Sequence, residues 1–192
     1  MPTRPRKPKI FPGVIICDTR EQSPFPFRSI DPWDEIPMKY AALATGDYSL
    51  VGYESVITIE RKSVSDWYGS IGADRERFTR EMERLAEMRH AAVVIEGDWN
   101  ALTVDRPATI QMSAKSSSHT MLSWSLRYGV HFWPCLNRRH AELVTFHLLR
   151  HFLKQEMERR KAEGGDGAGD AFDGDGEDEG DEAGADLLAG VV

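Results

Sequence analysis

Cysteine is scarce in this 192-residue chain, long apolar runs are missing, and no base follows Lys161. The two cysteines, Cys17 and Cys135, lie far apart and form no C-x-x-C pair. That argues against a zinc site and makes reduced thiols in a cytoplasmic protein the simplest reading. No stretch comes near the roughly 18–20 apolar residues needed to span a bilayer, so no membrane partner is expected. The opening segment, "MPTRPRKPKI", is basic but leads into no long apolar run, and is not read as a secretory signal. Repeats at solenoid-like periods are absent as well.

What is present is enough for one globular domain of ordinary size plus tails, since 41% of the residues are hydrophobic. The net charge of −7 misleads, because it is unevenly spread. Ten acids and no base lie between Gly164 and Val192, which leaves 21 acids against 24 Lys and Arg elsewhere. A mildly basic body is tethered to a strongly acidic tail, and such a body is compatible with a polyanionic partner without establishing one. The tail is Gly/Asp/Glu low complexity, too poor in apolar surface to offset its ordering entropy. The expected organisation is a basic flexible arm over 1–10, a folded domain over 11–161 and a disordered acidic tail over 162–192.

Between the tails, strands and helices mix. "GVIIC" reads as a buried strand ending at Asp18, and "MKYAALATGDYSLVGYESVITIER" as two or three strands broken by Gly turns. "DRERFTREMERLAEMRH" carries Phe78, Met82, Leu85 and Met88 near helical spacing, with Asp74 at the N-cap. "AAVVIEG" is the next buried strand. A polar loop, "MSAKSSSH", precedes a helix ending at Gly129; "VHFWPC" is then a strand, and "RRHAELVTFHLLRHFLKQEMERRK" a long final helix. Trp124, Phe132 and Trp133 are expected in the core. The pattern implies an α/β fold with a central mixed β-sheet flanked by helices.

Chemistry concentrates where "VITIERKSVSD" ends an apolar strand in charge. Residues two apart in a strand share a face, roughly 6.5–7 Å from each other, so Glu60 and Lys62 project together. Such a pair suits phosphodiester chemistry when further carboxylates converge. The glutamate helps hold a divalent cation, and the lysine orients water or offsets charge building on phosphate. Asp47, at a Gly turn, and Asp18, at a strand end, are the natural additional acids. Without a cation such a cluster repels itself; with Mg²⁺ or Mn²⁺, ions that favour oxygen ligands, it makes sense. Singly, each piece reads as a solvated charge run or plain turn chemistry. The combination is what counts.

Gly46-Asp47 followed by Glu60-Arg61-Lys62-x-x-x-Asp66 resembles the G-D…E-R-K-x-x-x-D signature of XPF-type structure-specific endonucleases, a branch of the PD-(D/E)xK restriction-like nucleases. "DTRE", "LATGDYSL" and "RFTREMERL" resemble that family's neighbouring blocks, and the similarity runs from about Val14 to Leu153. The resemblance implies a restriction-endonuclease-like core over 11–161 and hydrolysis of DNA, with Asp18, Asp47, Glu60, Lys62 and Asp66 as catalytic residues. Asp47, Glu60 and Asp18 would hold the metal. Arg20, Glu21, Arg61, Arg77 and Arg80 would meet the substrate or complete the acidic edge. Lys62 would position or activate water, and Asp66 would orient Lys62 or Arg20.

Two departures stand out. Glu81 replaces a glutamine common in the family's basic helix, and the chain turns acidic where the tandem helix-hairpin-helix module would follow. Branched DNA in repair, recombination or replication is the implied substrate, and a homodimer using the final helices and the 130–134 strand the implied assembly. The tail's apolar tip, "DLLAGVV", is read first as the end of a solubilising tail, with a DNA mimic competing for the basic groove or a docking peptide for a partner protein as the alternatives. Two rival readings stay open: a catalytically silent DNA-binding or scaffold subunit, which the intact acids argue against, and a nuclease without branch selectivity. A cytoplasmic or nucleoid-associated protein is expected.

Overall fold

Short β-branched runs become strands here because most of them are buried on both faces. The computed structural model describes residues 6–28, 30–104 and 113–164. The strands are β1 (Ile15–Asp18), β2 (Met38–Ala41), β3 (Tyr48–Leu50), β4 (Ile57–Lys62), β5 (His90–Ile95) and β6 (His131–Pro134). The helices are α1 (Val64–Ile71), α2 (Arg75–Ala86), α3 (Trp99–Thr103), α4 (Ala114–Tyr128) and α5 (Arg138–Ala162). The strands form one mixed sheet in the order β2-β1-β3-β4-β5-β6, with β3 antiparallel to both neighbours and the other pairings parallel. Strand β5 is buried from Ala91 to Ile95, as an unbroken apolar run in the sheet interior should be. The edge strands β2 and β6 are only half covered.

Helices cover the sheet on two sides. Trp67, Phe78, Met82, Leu85, Met121 and Trp124 from α1, α2 and α4 pack on Val93 and Ile95. Two hydrogen bonds lock this layer, Trp67 Nε1 donating to Ser117 Oγ at 2.8 Å and Tyr68 Oη to the Leu102 carbonyl at 2.9 Å. A second, aromatic core joins Phe11 to Trp33 and to Phe146 of α5, and Phe25 and Phe27 to Tyr48. Contacts group the chain into two units, 1–153 and 154–192. In the second, residues 154–162 complete α5, where Arg159 pairs with Glu156 and Glu163.

Several details differ from the sequence reading. Residues 6–10, expected to belong to a loose arm, are tied down by the Arg6–Asp34 ion pair at 2.8 Å and the Ile10–Glu35 bridge. The Ser-rich loop is helix from Ala114 onward. Ser113 caps it by accepting from the Ser116 amide, and burial of Ser117 outweighs the weak helix preference of the serines. Asp74 sits at the N-cap of α2 but does not cap, because its carboxylate accepts from Arg77 at 3.2 Å. Trp124 is core, whereas Trp133 is 43% exposed on the outer edge of the sheet. No helix among the described residues is long and apolar enough to cross a membrane. The acidic tail, and with it the readings of its apolar tip, lies outside the described residues.

Candidate active site

Register alone sets up the site. Cys17 pairs with Tyr48 and Tyr48 with Ile59, so the next residues along β1, the β3 entry and β4 are Asp18, Asp47 and Glu60, side by side. The Asp18 amide donates to the Asp47 carbonyl at 2.8 Å, and the Asp47 amide to the Ile59 carbonyl at 2.9 Å. The turn before Asp47 needs glycine. Gly46 has φ +74°, and a Cβ there would lie 2.0 Å from Thr58 Oγ1. Thr58 Oγ1 itself donates to the Thr45 carbonyl at 2.8 Å, holding the turn against β4.

Glu60 is buried and Asp47 half-buried, on neighbouring strands where both line the two clefts. One Asp47 oxygen, Oδ2, accepts from the Arg61 amide at 2.7 Å. Burial and the Glu60 charge push the Asp47 carboxyl up to about 8. Burial also raises Glu60, which is 7% exposed, against the pull of Lys62. Lys62 Nζ donates to Glu60 Oε1 at 2.6 Å and stands 4.7 Å from the Phe78 ring centroid. Burial on its own would lower the Lys62 pKa, but the charge and hydrogen bond of Glu60 together with the charges of Asp47 and Asp66 outweigh it, and the pKa rises. Lys62 is therefore an ammonium near neutral pH, suited to donating hydrogen bonds and offsetting negative charge. It is not placed to take a proton.

Asp18 has a different situation. Its Oδ1 accepts from the Arg20 amide at 2.7 Å and Arg20 Nε at 2.8 Å, and its Oδ2 from Arg20 Nη2 at 2.9 Å and the Leu43 amide at 2.6 Å. The bonds from Arg20 hold its pKa down to about 2. Four donors use the capacity of both oxygens. Asp18 thus aims Arg20, whose side chain is 69% exposed and lines both clefts at the site. The smaller cleft, about 220 Å³, is bounded by Asp18, Arg20, Asp47, Glu60, Glu81 and Arg84. The larger, about 640 Å³, runs past Glu21, Lys62 and Asp66 to Arg77. Among the described residues, no three acid, histidine or cysteine side chains converge into a full metal cage.

The sequence profile of the ERCC4 domain matches residues 18–148, more than half of the chain. The chain belongs to the ERCC4-domain family. Among solved structures it is similar to XPF from Aeropyrum pernix, 25% identical over 71% of this chain and 60% of that one, with a TM-score of 0.58. A structure of XPF from Aeropyrum pernix in complex with DNA is 26% identical over 74% of this chain and 66% of that one, with a TM-score of 0.59. The chain thus spans less than two thirds of the length of these relatives. No curated protein matches it by sequence. The fold is that of an XPF-type nuclease domain, a mixed sheet flanked by helices.

Around this centre the ERCC4 domain has a brace whose key members the sequence reading did not name. Arg61 Nε donates to Glu96 Oε1 at 2.8 Å and its Nη1 reaches Glu21 Oε1 at 3.5 Å, so the guanidinium is only 10% exposed. Arg138, in the first turn of α5, donates to Glu96 at 2.6 Å and to the carbonyls of Ser23 and Pro24. Both guanidiniums stand over the Phe25 ring. Arg61 therefore fixes the loop that carries Glu21 and is not free to grip phosphate. On α2, Arg75 lies over Trp124 and donates to the Ile71 carbonyl, while Arg77 and Arg80 are exposed and accessible to a ligand. Asp66 accepts from Ser63 Oγ at 2.7 Å at the start of α1, and from there adds charge that raises Lys62.

Proposed function

We propose that this domain is a divalent-metal-dependent DNA endonuclease acting near branch points, flaps or junctions. The observation that carries the proposal is the pairing of half-buried Asp47 with buried Glu60, two carboxylates on neighbouring strands, the second raising the pKa of the first, beside an ammonium. The donor set fits Mg²⁺ or Mn²⁺. Such ions bind through one or two carboxylates and fill their other positions with water and phosphate oxygens. Asp47 Oδ1 and Glu60 Oε2 have no protein donor described and would hold the ion. When bound, it would lower the pKa of a coordinated water and offset charge on the scissile phosphate.

The chain's own side chains do the rest. Glu60 keeps Lys62 charged, so Lys62 presents N–H donors to a water or to a phosphate oxygen. Asp18 holds one edge of the Arg20 guanidinium, leaving Nη1 for phosphate. Arg77 and Arg80 extend positive charge along the backbone path. The Aeropyrum pernix relative solved on DNA supports DNA as the partner. The silent-subunit alternative is disfavoured by the intact, pre-paired Asp47, Glu60 and Lys62.

A labelled panel of duplex, fork, flap and four-way junction, incubated with Mg²⁺ or Mn²⁺, tests the reading. Cleavage is expected at the fork, flap or junction, lost in EDTA. Equal cutting of plain duplex would remove branch selectivity, and binding without cutting on every substrate would leave the scaffold alternative.

The proposed assembly is a homodimer. Trp133 on the edge strand β6, with Leu122 and Leu126 one turn apart on α4, leaves apolar surface exposed, Leu126 to 89%. An unpaired strand edge of this kind suits a second copy of itself across a two-fold axis. Sedimentation at micromolar concentration should show a dimer that Leu126→Asp weakens; a purely monomeric wild type would rule it out.

A further inference from the structure

Helix α2 turns Arg77, Glu81 and Arg84 to one side, spaced four and three residues apart. Arg77 lines the larger cleft and Arg84 the smaller, so Glu81 interrupts a cationic face that borders the candidate active site. Its two oxygens have separate partners. Oε1 accepts from Thr45 Oγ1 at 2.5 Å and from the Gly46 amide at 3.4 Å, on the turn that leads into Asp47. Oε2 accepts from Arg84 Nη2. Burial would raise the Glu81 pKa, but the bonds from Thr45 and Arg84 outweigh it, so the side chain stays ionised.

We propose that Glu81 is a positioning residue with two grips: it fastens the Thr45–Gly46 turn and withholds Arg84 from the DNA backbone, so that an internal ion pair sets part of the affinity for DNA. The proposal rests on the DNA reading above. A phosphate approaching Arg84 must compete with a carboxylate already bonded to it. Glutamine at this position would keep an acceptor oxygen for Thr45 and Gly46 while releasing the arginine. Arg84 is 48% exposed and needs only a rotamer change to face outward.

The test measures binding to a labelled fork by fluorescence anisotropy in EDTA across a salt series, where cleavage plays no part. Glu81→Gln should bind about three- to tenfold tighter near 0.1 M salt, with the slope of log affinity against log salt steeper by about one. Arg84→Ala in the Glu81→Gln background should cancel both gains. Thr45→Val, which keeps the ion pair, should leave the slope at the wild-type value. For the turn, Glu81→Ala should lower the turnover number several-fold further than Glu81→Gln does. A wild-type slope in Glu81→Gln, a gain that survives Arg84→Ala, or no DNA binding at all would overturn the affinity grip; equal turnover in the alanine and glutamine variants would overturn the turn grip. Binding that responds as described in a protein that never cuts would sink the endonuclease reading and the turn grip with it, and leave the affinity grip standing.

Discussion

Asp47→Asn should abolish cleavage, by roughly 10³-fold or more, and at the same time make the metal-free protein more stable. The two effects have one cause. Asp47 is ordinarily an acid near 3.8, and in the fold burial beside Glu60 pushes it up to about 8. A raised folded-state pKa means that the unfolded chain gives up this proton first. Stability from this group is therefore full at low pH and lost as pH rises from about 4 through about 8. Asparagine keeps an acceptor for the Arg61 amide and offers an N–H to Glu60 in place of a like charge. In EDTA at pH 8 the variant should gain on the order of 1–3 kcal/mol, and the gain should vanish near pH 4. Saturating Mg²⁺ should stabilise the wild type and leave the variant nearly unmoved. Thermal melts across that pH range decide it; a difference that does not change with pH, or a variant that still cuts, would break the assignment.

The second large effect is expected at Lys62. Lys62→Ala should lower cleavage about 10²–10³-fold, because the ammonium bonded to Glu60 at 2.6 Å is lost from the cleft. It should also destabilise, since Glu60 is left buried without its counterion. Breaking such a pair costs about 3 kcal/mol while the carboxylate stays charged, and less at low pH, where Glu60 takes up a proton. Replacing both partners, Glu60→Gln with Lys62→Met, should recover much of the stability and none of the activity. If the double variant is as unstable as Lys62→Ala, the pair is not coupled as described. Alanine with near-normal turnover would place the charge stabilisation elsewhere, with Arg20 the next group to examine.

Much of this was legible in the residues. The strands announce themselves because β1, β4 and β5 are short apolar runs, and the motif acids are brought together by strand register, which follows from that pattern. The supports were not legible. Glu96 and Arg138 are 35 and 42 residues from the groups they brace, and nothing local marks one glutamate or arginine as an ion-pair partner. Nor does a row of four arginines on α2 show that Arg75 will lie over Trp124 while Arg77 stays exposed. Trp133 read as core because an edge strand alternates like any other, and only its place at the sheet margin puts the indole outward. The early start of α4 was hidden for a related reason. Serines favour loops locally, and the buried bond between Ser117 and Trp67 decides otherwise.

The saturated carboxylate of Asp18 has a practical consequence for anyone altering this fold. Aspartate and arginine at positions 18 and 20 work as one part, since the acid has no lone pair to spare and the base owes its direction to it. Losing the acid misaims the guanidinium, and losing the base strips the buried carboxylate of two of its four donors, so redesign at this corner has to treat the two side chains as a single hinge pin.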